Sequence, residues 1–439
     1  MQLQLTLYLE QGPPRNGYQK LTFHGGLLVP AMVVIAGAGT ARSTEYAHRL
    51  HEELKAELQT LSLQLDETLD QVDDPLLEAQ KAIPETQKLL VLVGEQGEDP
   101  PRKLHTNTTR LHEKWLSQGS PYSVMPIYPE NSPVSELLPD LESLRKINVR
   151  FWHTSIVEAI PDVLAASGLT TREFRIFLSY RRWQTTALAH QLFSELNKYN
   201  FSVFLDQFRI EAGVNFQEKL IEDLADKSMV LLLESSDFLG SEWTREEIAF
   251  TKIHRLGLLA LKVPDRGGGM PQIHPREREI LDGTDFERGF REPADKDHPE
   301  ANCLTPEALE RVVARVRLEH GRAFLRRREQ TRNEMTFALH QAGVPESDYD
   351  FTVGGFLRVR RPNHQYSIWL ANRPPDLSDF HLSHLGCSPP QNAIIIGLSK
   401  YVAIERQRRM EWLTSVCHVR YFDEGQMSHI AEDIAKERM

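Results

Sequence analysis

Between Phe174 and Val263 the sequence alternates short apolar runs with single helical stripes, a pattern that few folds accept. Arg175 to Ser179 is β-prone, Leu188, Leu192, Phe193 and Leu196 recur at helical spacing, and Phe201 to Leu205 reads as a second strand. Phe216, Leu220, Ile221 and Leu224 mark a second helix and Met229 to Leu233 a buried strand. A third helix begins at Trp243, and Leu258 to Val263 closes the series. Strands this short, each followed by one helix, predict a parallel sheet covered on both faces. Ligands of such sheets collect outside the carboxyl ends of the strands, where the pattern puts Tyr180, Arg181, Asp206 and the loop to Gly213.

The rest of the chain limits what that unit can belong to. At 439 residues two to four domains are expected. A formal net charge of -11 argues against generic nucleic-acid binding, because a phosphate backbone is gripped by neutralising cations. Cys303, Cys387 and Cys417 are too scattered for a disulfide framework, and reduced cytosol is the expected compartment. His381 and His384 have only Cys387 as a nearby thiol, so no metal site is expected. The opening MQLQLTLYLE lacks a signal-peptide pattern and no apolar run reaches the roughly 18 residues of a membrane span, so a cytoplasmic protein without membrane contact is expected.

Residues 1–168 read as an N-terminal α/β module. Met1 to Tyr8 alternates like an edge strand or half a hairpin, and Leu27 to Thr40 contains a buried strand. Its Gly37 and Gly39 suggest a phosphate cradle, but the dinucleotide fingerprint is incomplete, and a plain tight strand-to-helix turn is the alternative. A helix at Tyr46 to Leu63 follows, then strands at Leu89 to Gly94, Tyr122 to Tyr128 and Ile147 to Trp152, with helical patterns at Thr108 to Leu116 and Ser155 to Ala166. Residues 266–302, dense in Pro, Gly and charge, read as a linker or irregular segment. Residues 303–439 read as a C-terminal α/β or α+β module for sensing or assembly, opening on a long helix from Thr305 to Gln341 whose basic RRREQTR stretch reads as a solvated face, with contact to a nucleotide ligand or a partner subunit as the alternative.

The motifs FLSYRR, VFLD and EAG, with a tryptophan four positions before Glu247, resemble a Toll/interleukin-1 receptor (TIR) domain over residues 172–265, most closely its NAD-hydrolysing, prokaryotic antiphage-defence branch. The resemblance implies a flavodoxin-like α/β fold for the centre, flanked by the two modules, the first of them a degenerate relative of the centre. It also implies NAD+ as a substrate rather than a cofactor, homo-oligomeric assembly through this domain, and a nucleotide or protein trigger sensed by a flanking module. The implied catalytic residue is Glu247. The implied substrate-binding residues are Ser179, Tyr180, Arg181, Asp206, Phe208, Glu211, Gly213 and Trp243. Phe208 to Gly213 resembles the family's gating loop, in which Glu211 would touch substrate or a neighbouring subunit and Gly213 would permit the return turn.

Chemistry supports that assignment. Nicotinamide leaves NAD+ as a neutral group, so a cleaving enzyme needs the ribosyl positive charge stabilised more than it needs a strong acid. One carboxylate at Glu247 does this by interacting more strongly with the transition state than with the bound sugar, and a place early in a helix favours its ionised form. The alternative is a solvated glutamate in a charged helix, with Glu246 as the confusable neighbour. Trp243 reads as either a ribose platform or a core residue, and Arg181 as either an anion donor or a brace to Asp206. The expected activity is therefore NAD+ glycohydrolysis to nicotinamide and ADP-ribose or a cyclic isomer. A non-catalytic signalling scaffold is the alternative.

Overall fold

The computed structural model describes residues 4–11, 17–24, 30–37, 40–61, 63–72, 86–94, 111, 113, 122–129, 150–152, 155–169, 174–180, 184–199, 201–205, 224–236, 242–265, 269–292, 301–352, 355–387, 392–398, 402 and 404–439. The chain folds as two compact units, Met1–Thr170 with Val353–Gly355, and Thr171–Thr352 with Phe356–Met439. Three sheets, each accompanied by helices, make the architecture α/β.

The first unit is one seven-stranded sheet. Strands β1 (Gln4–Gln11) and β2 (Gly17–His24) pair antiparallel, and β3 (Ala31–Gly37) runs parallel to β1 on its other side. Helix α1 (Ala41–Thr60) and strands β4 (Gln64–Val72), β5 (Gln87–Val93), β6 (Tyr122–Pro129) and β7 (Arg150–Trp152) complete the order β4-β2-β1-β3-β5-β6-β7. The opening strand is thus half of a hairpin but not an edge. Leu5 to Leu9 are all buried, as a strand flanked on both sides requires. The helical pattern at Thr108 to Leu116 lies outside the described residues except at 111 and 113. Ser155 to Ala166 forms a 3-10 turn followed by α2 (Ile160–Ala166).

The turn after β3 is the tight one. A Cβ on Gly37 would lie 2.8 Å from the backbone nitrogen of Thr44, so only glycine lets the strand end meet the first turn of α1. Thr40 Oγ1 accepts from Ser43 N at 3.0 Å, and Ser43 Oγ accepts from Thr40 N at 3.1 Å. This reciprocal cap occupies a donor that a phosphate would need. Gly39 lies outside the described residues.

The second unit opens with the motif-bearing region. Strand β8 (Phe174–Ser179), helix α3 (Thr186–Lys198), strands β9 (Phe201–Leu205) and β10 (Met229–Glu234), helix α4 (Glu242–Ile253) and strands β11 (Gly257–Lys262) and β12 (Arg278–Ile280) form an all-parallel sheet of order β12-β11-β10-β8-β9. Counted from its own first strand this is the order 2-1-3-4-5, whose switch point falls between β8 and β10. Of the second helical stripe only Leu224 is described, and it is buried. The segment 266–302, expected to be a linker or irregular, supplies β12 and buries Met270, Ile273, Leu281 and Phe286 against the sheet.

Helix α5 (Pro306–Gln341) is 36 residues long, about 54 Å at the usual rise. Thr305 caps it, its side chain accepting from Ala308 N at 3.2 Å. Ala308, Val312, Val313 and Val316 join the core on the α3 face of the parallel sheet. Met335, Ala338 and Leu339 belong to the core of the next sheet. The RRREQTR stretch departs from the solvated face expected of it: Arg327 and Arg328 are 5% and 3% exposed. Arg327 Nη1 donates to the His254 carbonyl at 2.9 Å, and its Nη2 lies 3.5 Å from Glu424. Burial lowers the Arg327 pKa, and the Glu424 carboxylate partly restores it.

Strands β13 (Tyr349–Phe351), β14 (Leu357–Arg360) and β15 (Gln365–Leu370), helix α6 (Leu377–Gly386), strand β16 (Ala393–Gly397), helix α7 (Ile404–Cys417), strand β17 (Arg420–Asp423) and helix α8 (Met427–Ala435) finish the chain. The sheet order is β13-β14-β15-β16-β17, antiparallel as far as β15 and parallel beyond it. Among the described residues no helix is long and apolar enough to cross a membrane.

Candidate active site

Two periodicities bring the site together. Along β8, Ile176, Leu178 and Tyr180 point to the α3 face, so Phe177 and Ser179 point to the α4 face. Along α4, Thr244, Glu247, Ile248 and Thr251 are buried while Arg245 and Glu246 are exposed, the spacing of one inward stripe. Glu247 therefore occupies a position that an ordinary amphipathic helix would fill with an apolar residue. A carboxylate there is costly unless hydrogen bonds compensate it. Ser179 Oγ donates to Glu247 Oε2 at 2.6 Å, across the carboxyl end of β8. Thr251 Oγ1 anchors the same turn by donating to the Glu247 carbonyl at 2.6 Å.

The structure separates the two neighbouring glutamates, since Glu247 is 7% exposed and Glu246 faces solvent. Glu247 sits in the second turn of α4, past Glu242–Arg245, where the helix dipole has little reach. Its environment is set by burial and by Ser179 instead. Tyr180, 8% exposed, packs in the core on the opposite face of the sheet rather than beside Glu247. Trp243 lies in the first turn of α4. Arg181, Asp206, Phe208, Glu211 and Gly213 fall outside the described residues.

Further polar residues crowd the same end of the sheet, and sequence reading passed over them. Glu234, 1% exposed, closes β10 and receives Arg278 Nε at 2.7 Å and Nη2 at 3.1 Å, together with the amide of Met270. Ser235 donates to the Gln184 side chain, so the residues just before α3 are tied to the end of β10 across the switch point. Asp265 accepts from Lys262 Nζ and from the amide of Ser236. The signal was present: MVLLLE and GLLALK each end an apolar strand on a charge, and such a charge must find a partner at the strand's carboxyl end. Glu234 and Lys262 are matched by Arg278 and Asp265, and these pairs brace the rim.

A parallel sheet of order 2-1-3-4-5, with a buried carboxylate held at the end of the strand beside its switch point, is a flavodoxin-like α/β arrangement. The family model of the TIR domain matches residues 176–296, so a TIR domain occupies that part of the chain. No curated protein and no solved structure matches the chain.

Proposed function

We propose that the chain is an NAD+ glycohydrolase whose catalytic residue is Glu247. The observation that carries this reading is the Ser179–Glu247 hydrogen bond, which fixes a buried carboxylate at the carboxyl end of β8. In the reaction the bond between ribose C1′ and the nicotinamide nitrogen breaks, and its electron pair neutralises the pyridinium. The positive charge left on the ribosyl centre is stabilised by Glu247, which Ser179 holds in one orientation. Water then adds and loses a proton to give ADP-ribose, or an adenine nitrogen adds to give a cyclic isomer. A carboxylate fixed before the charge develops needs no reorganisation when it does.

Arg181, Asp206, Phe208, Glu211, Gly213 and Trp243 complete the proposed substrate site, with Tyr180 acting through the core rather than by contact. The reading extends to a cytoplasmic protein of antiphage defence that assembles through its TIR domain. Residues 1–168 and 303–439 would serve as regulatory or assembly modules that sense a nucleotide or protein trigger. Release of nicotinamide by the full chain, with and without Glu247→Gln, tests the chemistry. The substitution is expected to lower turnover by about 10²–10³-fold. Equal rates in parent and variant would sink the hydrolase reading. The second reading, a non-catalytic scaffold, draws on the burial of Tyr180 as an ordinary core residue. It predicts homotypic association without turnover, even in the assembled state.

A further inference from the structure

The C-terminal sheet carries two crossover helices side by side. Strands β15, β16 and β17 are parallel neighbours, with α6 connecting the first pair and α7 the second. Phe380 of α6 and Met410 and Leu413 of α7 join one core, so both helices cover the same face of the sheet. Helices α5 and α8 cover the other face. The carboxyl ends of α6 and α7 are tied where His384 Nδ1 donates to the Cys417 carbonyl at 2.8 Å. Away from that core the pair presents apolar side chains to solvent. Leu382 and Leu385 on α6, and Trp412 and Val416 on α7, recur at helical spacing, and Leu377 and Ile404 open the two helices. These six are 48% to 69% exposed and are most of the nine large apolar side chains exposed among the described residues.

Apolar residues on the inward and the outward side of a helix mark both sides for burial. At roughly 150 Å² for a large side chain, six exposed to this degree offer on the order of 600 Å² of apolar surface. That is the top of what a monomer ordinarily leaves bare and approaches the roughly 800 Å² that each partner of a standard interface buries. Charge selects the occupant. Beside the apolar residues α7 exposes Glu405, Arg408, Arg409 and Glu411, two acids and two bases, while α6 exposes no Asp, Glu, Lys or Arg. A chain of net charge -11 repels its own copies except where a face is balanced, as this one is. A two-fold axis through the face lets the acids of one copy meet the bases of the other. An anionic lipid surface would find no net positive charge to hold it.

We infer that this face docks a second copy of the chain, α6 and α7 of one copy lying against α6 and α7 of the other. Trp412, the aromatic residue of the patch, is the anchor, since tryptophan concentrates binding energy at interface centres. The inference goes beyond assembly through the TIR domain and does not depend on NAD+ cleavage, because the face belongs to the C-terminal sheet.

Sedimentation equilibrium of the full chain tests it. The parent is expected to be a dimer at micromolar concentration. Trp412→Asp, and independently Leu385→Glu, are each expected to weaken the dimer at least about thirtyfold. Both positions face solvent, so the circular dichroism of each variant should match that of the parent. Ile253→Asp, at an exposed apolar position on α4 of the TIR domain, is expected to leave the dimer intact. A monomeric parent would overturn the proposal, whether or not it binds phosphatidylserine vesicles. So would a dimer that survives both Trp412→Asp and Leu385→Glu, or one that only Ile253→Asp dissociates.

Discussion

The two ends of the TIR sheet are built from opposite materials. At the carboxyl end a serine hydroxyl holds a buried glutamate, and the charged residues at the rim, Glu234 and Lys262, are neutralised by near neighbours. At the amino end, cations and carboxylates from β8, from the turn before β10 and from α7 interlock, and α5 adds His320, whose Nε2 meets Ser228 Oγ at 2.6 Å. The described ion pairs that join the C-terminal sheet to the parallel sheet, Arg175–Asp376 and Arg406–Asp226, lie at this amino end. One end fixes a buried carboxylate with a hydroxyl, where the proposed reading puts the ligand. The other is arranged to hold a second sheet in place.

If that contrast is real, substitutions at the base should cost stability and those at the rim should cost activity. The largest stability loss is expected for Asp226→Asn. Burial alone would raise the Asp226 pKa, but Lys227, Arg406 and Arg175 override it and hold the carboxyl below its ordinary value. Removing the charge leaves those cations facing one another. With the partners a fifth to a quarter exposed, the cost should be about 2–3 kcal/mol in denaturant unfolding, below that of a fully buried pair. The same pairing makes Asp226 stabilising above about pH 4, and that contribution disappears as pH falls through its depressed folded value.

His320 should produce the next largest effect. Complete burial lowers its pKa from 6.5 to about 3, so the unfolded chain takes up the proton first as pH drops. Its contribution is full above pH 6.5 and declines toward pH 3, losing about 2 kcal/mol between pH 7 and pH 5. Melting curves at the two pH values should show a shallower dependence for His320→Gln than for the parent. An unchanged slope would mean that this histidine is not buried in its neutral form.

A smaller loss is expected for Gly257→Ala at the start of β11. The added Cβ would lie 2.6 Å from the Ala323 Cβ on α5, and relieving that overlap should cost about 1–2 kcal/mol. A comparable loss, about 1–2 kcal/mol, is expected for Ser179→Ala, because it strips a donor from a carboxylate that is only 7% exposed. On the proposed reading its NAD+ turnover should fall about tenfold, because a charge-assisted bond would position the proposed catalytic carboxylate. A variant that loses stability but keeps its rate would reverse the division between the two ends.

Local pattern made much of this legible before any coordinates. The alternation of strand and helix predicts the parallel sheet, whereas Glu247 is singled out by the motif's resemblance, the local pattern alone reading as a solvated glutamate. Other features depended on distant pairings that period does not encode. The link from Arg175 to Asp376 spans 201 residues, and from Arg406 to Asp226 it spans 180. β12 is a three-residue strand within a loop-like composition, too short to show a period. Arg327 and Arg328 sit in a run that charge alone makes look solvated, yet both are buried, and Arg327 meets His254 and Glu424 from distant parts of the chain. Tyr180 stands in a motif at the strand end where the resemblance implies a ligand, and its side chain joins the core on the α3 face.

Because α5 lends its first turns to one core and its last to another, the two sheets cannot be excised from each other at residue 303. A TIR fragment ending there would leave bare the apolar surface that Ala308, Val312, Val313 and Val316 cover. A fragment starting there would display the same four side chains to solvent and tend to self-associate. The C-terminal sheet is therefore joined to β8 and β10 by a shared stiff rod and by the Arg175–Asp376 and Arg406–Asp226 pairs rather than by a tether.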